Sequence, residues 1–553
     1  MDNKVSGIAL FLVLVLAGTG ILLFNNLNPE KALVNNSVID QANQTETNNT
    51  LINDNVLPST FLSSSTVNLI SSSPGGQPTP SPTPPTPDPM DHIISLFDTY
   101  LTSTFPMAGI PGAAVVVVQN NEIIYMKCFG VKDLTTQALV GPNTLFEIGS
   151  STKQFSATNI AQLVDAGLMG WDDPIIDYYP DKNEFQLYSD EVTDSITLRD
   201  CLLHRSGLPM YGGDSNVQIF NYSYEFGLHQ LRYLENTTKF RSTWQYNNML
   251  YALPSNYAER ATNTPWKELM KLLLEPLGMN TATTNYNDFL NSPDHATPYR
   301  TINGTMTPFH LAGLDAMGPS GSLACSIREM ANWLSFQIDD TGIFNGQQVV
   351  SKTNLDETRT GQIEVPGVGQ YGFGWMVSNG VLWHAGDTLS SGSYLEIIPS
   401  KGLAIAVLAT GGQYGYAFNM AAADKFNLLL MGIENYDPWP SYKQYAEGTM
   451  KPVLDPPAPP IVSPLPFSNY TGVYFSDFYG IVNITTNNTN LVCYYGNNSQ
   501  PYDLKHWNDS VFTEETNNYA FNFTDIHDGV AHELTIKLSD PPTPAVFNRT
   551  NST

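Results

Sequence analysis

Apolar and polar positions divide the chain into segments of different period. Gly7–Phe24 is an apolar run without a charge, preceded by Asp2 and Lys4 and closed by Asn25-Asn26. At 1.5 Å per residue it spans about 27 Å as a helix, the lower limit for crossing a hydrocarbon core. An uncleaved signal-anchor is expected, with residues 1–6 cytoplasmic and the rest outside; a signal peptide cut near Ala17-Gly18-Thr19-Gly20 is the alternative. Residues 25–89 lose all apolar period and end in the proline-rich run Pro78–Pro89, which reads as a disordered stalk. Gly112–Val118 and Glu122–Met126, joined at Asn120-Asn121, read as a hairpin. Ala157, Ile160, Ala161 and Val164 recur at helical spacing. Tyr394–Ile398 and Leu403–Leu408, around Pro399–Gly402, are predicted strands, and Ala417–Met431 a closing helix. A proline-rich linker over 436–464 follows, containing Asp455-Pro456-Pro457-Ala458-Pro459-Pro460. Short alternating runs rich in aromatic and β-branched residues, such as Tyr470–Tyr474, Gly480–Ile484, Leu491–Tyr495 and His532–Ile536, then predict a small all-β domain over 465–549.

Composition narrows the partners. Lys+Arg 25 against Asp+Glu 52 gives a net charge of −27 with no basic run, which excludes nucleic acid and anionic membrane surfaces as partners. The only membrane contact expected is through the N-terminal helix. About fourteen N-x-S/T sequons, among them Asn43, Asn236, Asn303, Asn469, Asn483, Asn508 and Asn522, fit a glycosylated lumenal or extracellular surface; an Asn- and Thr-rich composition also generates them unaided. Cys128, Cys201, Cys325 and Cys493 have no metal-ligand spacing, and the nine histidines form no H-x-x-x-H cluster. No metal and no cofactor is expected. At most one disulfide can close among Cys128, Cys201 and Cys325, which leaves Cys493, in the β-rich segment, free, interdomain or intermolecular.

The most informative string is Phe146-Glu147-Ile148-Gly149-Ser150-Ser151-Thr152-Lys153. It sets a hydroxyl and an amine three residues apart at the opening of a helix, on one face, beside free backbone N–H groups. A serine hydroxyl needs a base that is unprotonated near neutral pH, and a surface lysine is not. Either Lys153 is buried and its pKa lowered, or a tyrosine acts as phenolate beside it; Tyr246, in Trp244-Gln245-Tyr246-Asn247-Asn248, is the candidate. The two would then titrate as one coupled unit. His384-Ala385-Gly386 follows much later.

In this order, the S-x-x-K, Y-x-N and H-x-G motifs resemble the serine β-lactamase and penicillin-binding-protein superfamily, in its class C β-lactamase, D,D-peptidase and esterase branch. Ile196-Thr197-Leu198-Arg199-Asp200 running into Leu202-Leu203-His204-Arg205-Ser206-Gly207-Leu208-Pro209 is similar to that branch's ITxRxLLxHxSGLP string, and Gly318–Leu323 to its small-residue loop. The likeness covers roughly residues 90–435. It implies an α/β (α+β) fold: an antiparallel sheet flanked by helices, with a helical insert carrying Tyr246. The terminal β-domain resembles the lipocalin-like module of related proteins, read as a structural cap or a ligand pocket.

By that resemblance Ser150 is the nucleophile, Lys153 and Tyr246 share the proton, and Asn248 orients Lys153 and the substrate amide. His384 would sit against Tyr246. The backbone N–H groups of Ser150 and Asp387 would bind the oxyanion, and Gly386 would clear room for substrate. The third motif departs from the branch's H-x-G-x-x-x-G-F pattern, running Asp387-Thr388-Leu389-Ser390-Ser391-Gly392, which puts the pocket's shape in question. The implied activity is serine acyl hydrolysis of β-lactams, D-amino-acid peptides, or esters and amides. The competing reading is a non-catalytic scaffold or binding protein of the same fold.

Overall fold

The computed structural model describes residues 88–550 apart from Asn303, Ala312, Gly313 and Asn488. The anchor expected at 7–24 and nearly all of the 25–89 stalk lie outside them. Among the described residues no helix is long and apolar enough to cross a membrane.

The chain enters through helix α1, Pro89–Ala108, into the hairpin of β1, Gly112–Gln119, and β2, Glu122–Gly130. Asn120 and Asn121, at φ 49° and 68°, adopt the left-handed conformation that a two-residue hairpin turn needs and that asparagine tolerates. Six further strands complete the sheet: β3 Ile363–Val365, β4 Gly369–Tyr371, β5 Met376–Ser378, β6 Val381–Asp387, β7 Ser391–Ile398 and β8 Leu403–Thr410. The order is β2-β1-β8-β7-β6-β5-β4-β3, all antiparallel. The N-terminal hairpin thus closes onto the last strand, with Val116 opposite Ala406.

Ala113 to Val118 are fully buried, so both faces of β1 are covered, as the unbroken apolar run requires. Alternate residues Ala114, Val116 and Val118 share a core with Trp333 and Phe336 of helix Ile327–Asp339. Helix Gly412–Leu430 packs on β7 and β8, and its Phe426 meets Phe97 of α1 with ring centroids 5.1 Å apart. A largely helical insert between β2 and β3 holds α2, Thr152–Asp165, and α3, Asn248–Thr262.

The linker expected over 436–464 carries a helix of its own, Trp439–Thr449, which buries Trp439, Tyr442 and Ala446. Beyond it eight antiparallel strands from Gly472–Ser476 to Ala545–Arg549 close into a barrel, the first pairing with the last. Tyr474, Tyr479, Tyr495, Phe512, Phe521, Phe523 and Phe547 are buried in it. From the insert, Phe220 lies among Tyr495, Tyr479 and Phe547 at 5.4, 5.9 and 6.2 Å between centroids. Ile481 N–H donates to the Tyr222 hydroxyl at 3.1 Å, and Asn497 N–H to the Phe220 carbonyl at 2.9 Å. The four cysteines are free thiols.

Candidate active site

Ser150 lies in a 3-10 turn, Gly149–Ser151, that runs directly into α2. Gly149 has φ 52°, and a Cβ there would come within 2.6 Å of the Asp387 backbone nitrogen. The nucleophile turn and the end of β6 are therefore packed backbone to backbone, Gly149 against Asp387. Gly386 is constrained from inside the protein: a Cβ there would sit 1.8 Å from the Ile148 carbonyl oxygen. A side chain at Gly386 would strike the turn carrying Ser150.

The two serines are separated by burial. Ser151 is fully buried and its Oγ is 2.8 Å from Ser393 Oγ. Ser150 keeps partial exposure. The Tyr246 hydroxyl donates to Ser150 Oγ at 2.8 Å, and Lys153 Nζ lies 3.2 Å from the same atom.

Lys153 is fully buried. Its Nζ has two further partners, Asn248 Oδ1 at 2.8 Å and the Ser320 carbonyl at 2.7 Å. Both accept only, so the amine spends two N–H bonds on them. A neutral amine then has one lone pair left, facing the one partner able to donate, the Ser150 hydroxyl. Electrostatics agree: burial pushes Lys153 down to about 7, with Asp214 acting in the opposite direction. Burial drives the Tyr246 phenol well above its ordinary value. Burial thus favours the neutral form of both groups, the amine of Lys153 and the phenol of Tyr246.

The other site residues are placed as follows. Asn248, the first residue of α3, accepts from Lys153 and donates through Nδ2 to Asp214 Oδ2 at 2.6 Å. Its side chain is thus engaged inside the protein. His384 stands near Tyr246 with ring centroids 6.5 Å apart, but its hydrogen bonds go to the Ala385 carbonyl from Nδ1 at 2.6 Å and to the Tyr371 hydroxyl at Nε2, 3.3 Å. Burial, then Lys153, lowers it to about 3, so it is a neutral imidazole. Asp387 turns its carboxylate back onto the Leu389 N–H at 2.6 Å.

Three residues central to this geometry carried no assigned role in the sequence. Asp214 anchors Asn248. Ser320 supplies a carbonyl to Lys153, and its Oγ donates to the Asn248 carbonyl at 2.7 Å. His204 accepts from the Asn247 N–H at 3.1 Å and packs its ring 4.4 Å from that of Tyr246. The string around His204 is itself fixed by Asp200, which caps its helix through Thr197 and binds Arg205 and Arg241.

Comparison with known proteins agrees with this architecture. The Beta-lactamase family model matches residues 94–426, and a domain of unknown function (DUF3471) matches 456–549. Protein flp of Staphylococcus aureus is 24% identical over 319 residues, 56% of this chain and 62% of that protein, so the chain spans less than two thirds of that relative. The unguisins hydrolase ungD' of Aspergillus campestris is 25% identical over 429 residues, 71% of this chain and 77% of that protein. The octameric penicillin-binding protein homologue from Pyrococcus abyssi has a TM-score of 0.53 at 20% identity, over 82% of this chain and 100% of that chain, a likeness of fold. With its sheet, its insert and more than half of its length matched by the family model, the chain belongs to the Beta-lactamase family.

Proposed function

We propose that this protein is a serine acyl hydrolase that works through an acyl-enzyme on Ser150. The observation that carries the reading is the bonding of Lys153: two of its three polar contacts are fixed acceptors, and the third is the hydroxyl that must lose a proton. In acylation the Ser150 proton passes to Lys153 Nζ as Oγ bonds to the carbonyl carbon of the substrate. The carbonyl π electrons move to oxygen, next to the amides of Ser150 and Asp387. When the tetrahedral species collapses, the bond to the leaving nitrogen or oxygen breaks. Tyr246, hydrogen-bonded to Ser150 Oγ in the free enzyme, gives its proton to the leaving nitrogen or oxygen and is recharged from Lys153. Water then attacks the ester by the same route in reverse.

The substrates that fit are β-lactams, D-amino-acid peptides, and esters or amides; the relative named as a hydrolase of unguisins supports hydrolysis as the reaction class. A non-catalytic scaffold would have no use for a fully buried lysine aimed at a partly exposed serine. Incubation with a fluorophosphonate probe tests the reading: one adduct per chain on the peptide carrying Ser150 supports it, and an unmodified protein overturns it. Full-length protein is also proposed to be membrane-tethered through Gly7–Phe24 with the enzyme outside; recovery in the soluble fraction after carbonate washing would contradict this.

A further inference from the structure

We propose that Asp540, supplied by the C-terminal barrel, is a positioning residue of the hydrolase site, anchoring the turn that presents Asp214 and through it holding Asn248 and Lys153 in place. The inference rests on the reading of Lys153 as the base. Asp540 lies between the last two barrel strands, Val530–Ile536 and Ala545–Arg549, and is 1% exposed. Its carboxylate crosses to the catalytic region: Oδ2 accepts from Ser215 N–H at 3.2 Å and Oδ1 from the Ser215 hydroxyl. Its own carbonyl is held inside the barrel by the Tyr479 hydroxyl at 2.9 Å.

Ser215 follows Asp214 in the short helix Asp214–Gln218, which enters from Gly213 in a left-handed conformation, φ 95°. From there the contacts run without a gap: Asp214 to Asn248 at 2.6 Å, Asn248 to Lys153 at 2.8 Å, Lys153 to Ser150 at 3.2 Å. Asp214 Oδ1 is buried without a hydrogen-bond partner in the structure. A bare carboxylate there is costly, and its orientation depends on the turn that carries it.

Charge follows the same line. Asp540 faces Ser215, the Gly213 N–H, Asp214, Tyr479 and Tyr519; Lys153 faces Asp214, His204, His384, Tyr246 and Tyr251. Burial, and the neighbouring Asp540 with it, raise Asp214 to about 8, and burial raises Asp540 to about 6. Of the two carboxyls Asp214 is pushed up further, so it is the one that takes up a proton first. That spares Lys153 a full anion nearby, which would keep it protonated. The barrel, on this account, completes the site.

The test is the pH profile of kcat/KM for a p-nitrophenyl ester, with the rate of fluorophosphonate labelling, in the full chain and in Asp540→Asn and Asp540→Ala. The isosteric Asp540→Asn keeps an acceptor for Ser215 but loses the charge. Asp214 then ionises at lower pH, the Lys153 ammonium is stabilised, and the acid limb moves to higher pH by roughly half a unit or more. Asp540→Ala frees the turn and should slow labelling on the order of tenfold at the optimum, while Asp540→Asn largely restores that rate. If Asp540→Ala does not fold, the acid limb of Asp540→Asn decides alone. A labelled parent whose profile superimposes on that of Asp540→Asn overturns the role of Asp540. A parent that does not label overturns the Ser150 reading instead.

Discussion

Ser150 and Ser151 are neighbours with opposite surroundings: Ser150 Oγ lies 2.8 Å from the Tyr246 hydroxyl and 3.2 Å from Lys153 Nζ, whereas Ser151 Oγ is fully buried against Ser393 at 2.8 Å. The turn Gly149–Ser151 produces this difference by pointing consecutive side chains to different faces. Only one of two chemically identical hydroxyls meets a base.

The base and the phenol act on the same oxygen and should behave as one unit. Lys153→Ala and Tyr246→Phe should each slow acylation by roughly 10² or more, and the double variant should be little worse than either. Single-turnover labelling kinetics measure this. Additive losses would show two independent groups.

Because Lys153 must be neutral to accept the Ser150 proton and is held at about 7, kcat/KM should rise with pH through about 7 and level above it. A pH–rate profile of the free enzyme reports this ionisation. A rate already flat between pH 5 and pH 9 would exclude Lys153 as the titrating base.

Away from the site, Glu396 is 1% exposed on β7, accepts from Tyr394 at 2.7 Å and Asn427 at 3.1 Å, and is pushed up to about 7 by burial. Its folded form holds a proton more tightly than its unfolded form. The stability it contributes is complete below the ordinary carboxyl range and is lost as pH rises through about 7. Between pH 5 and pH 8 the thermal midpoint of Glu396→Gln should therefore fall less than that of the parent. Equal falls would show that Glu396 is ionised in the fold throughout.

Phe220 is fully buried among Tyr495, Tyr479 and Phe547 of the barrel. Phe220→Ala should cost about 3–5 kcal/mol, the usual range for truncating a core aromatic. Urea unfolding with limited proteolysis should show earlier cleavage between residues 450 and 466. An unchanged midpoint would mean that this contact contributes little to joining barrel and insert.

How much of this was legible follows from the range of each signal. The hairpin at Asn120-Asn121, the strands around Pro399–Gly402 and the alternating barrel strands rest on local period and turn chemistry. Ser150 and Lys153 share a helix face and were legible for the same reason. Tyr246, Asn248 and His384 came only from the order of motifs, and their partners depend on the fold: His384 binds Tyr371, and Asn248 binds Asp214. Asp214, Ser320 and Asp540 have no local pattern, since packing between distant segments creates their contacts. The Trp439–Thr449 helix was hidden by Pro438, Pro440 and Gly448, although the spacing of Trp439, Tyr442 and Ala446 was a usable helical signal.

The measurement closest to the central claim is peptide mapping of the fluorophosphonate adduct on the parent and on Ser150→Ala. The account predicts a single modified serine, Ser150, in the parent. In Ser150→Ala it predicts neither label nor ester turnover, with a thermal midpoint within a few degrees of the parent's, because deleting a partly exposed hydroxyl costs little packing. Label on Ser151, or turnover that survives in Ser150→Ala, would contradict it.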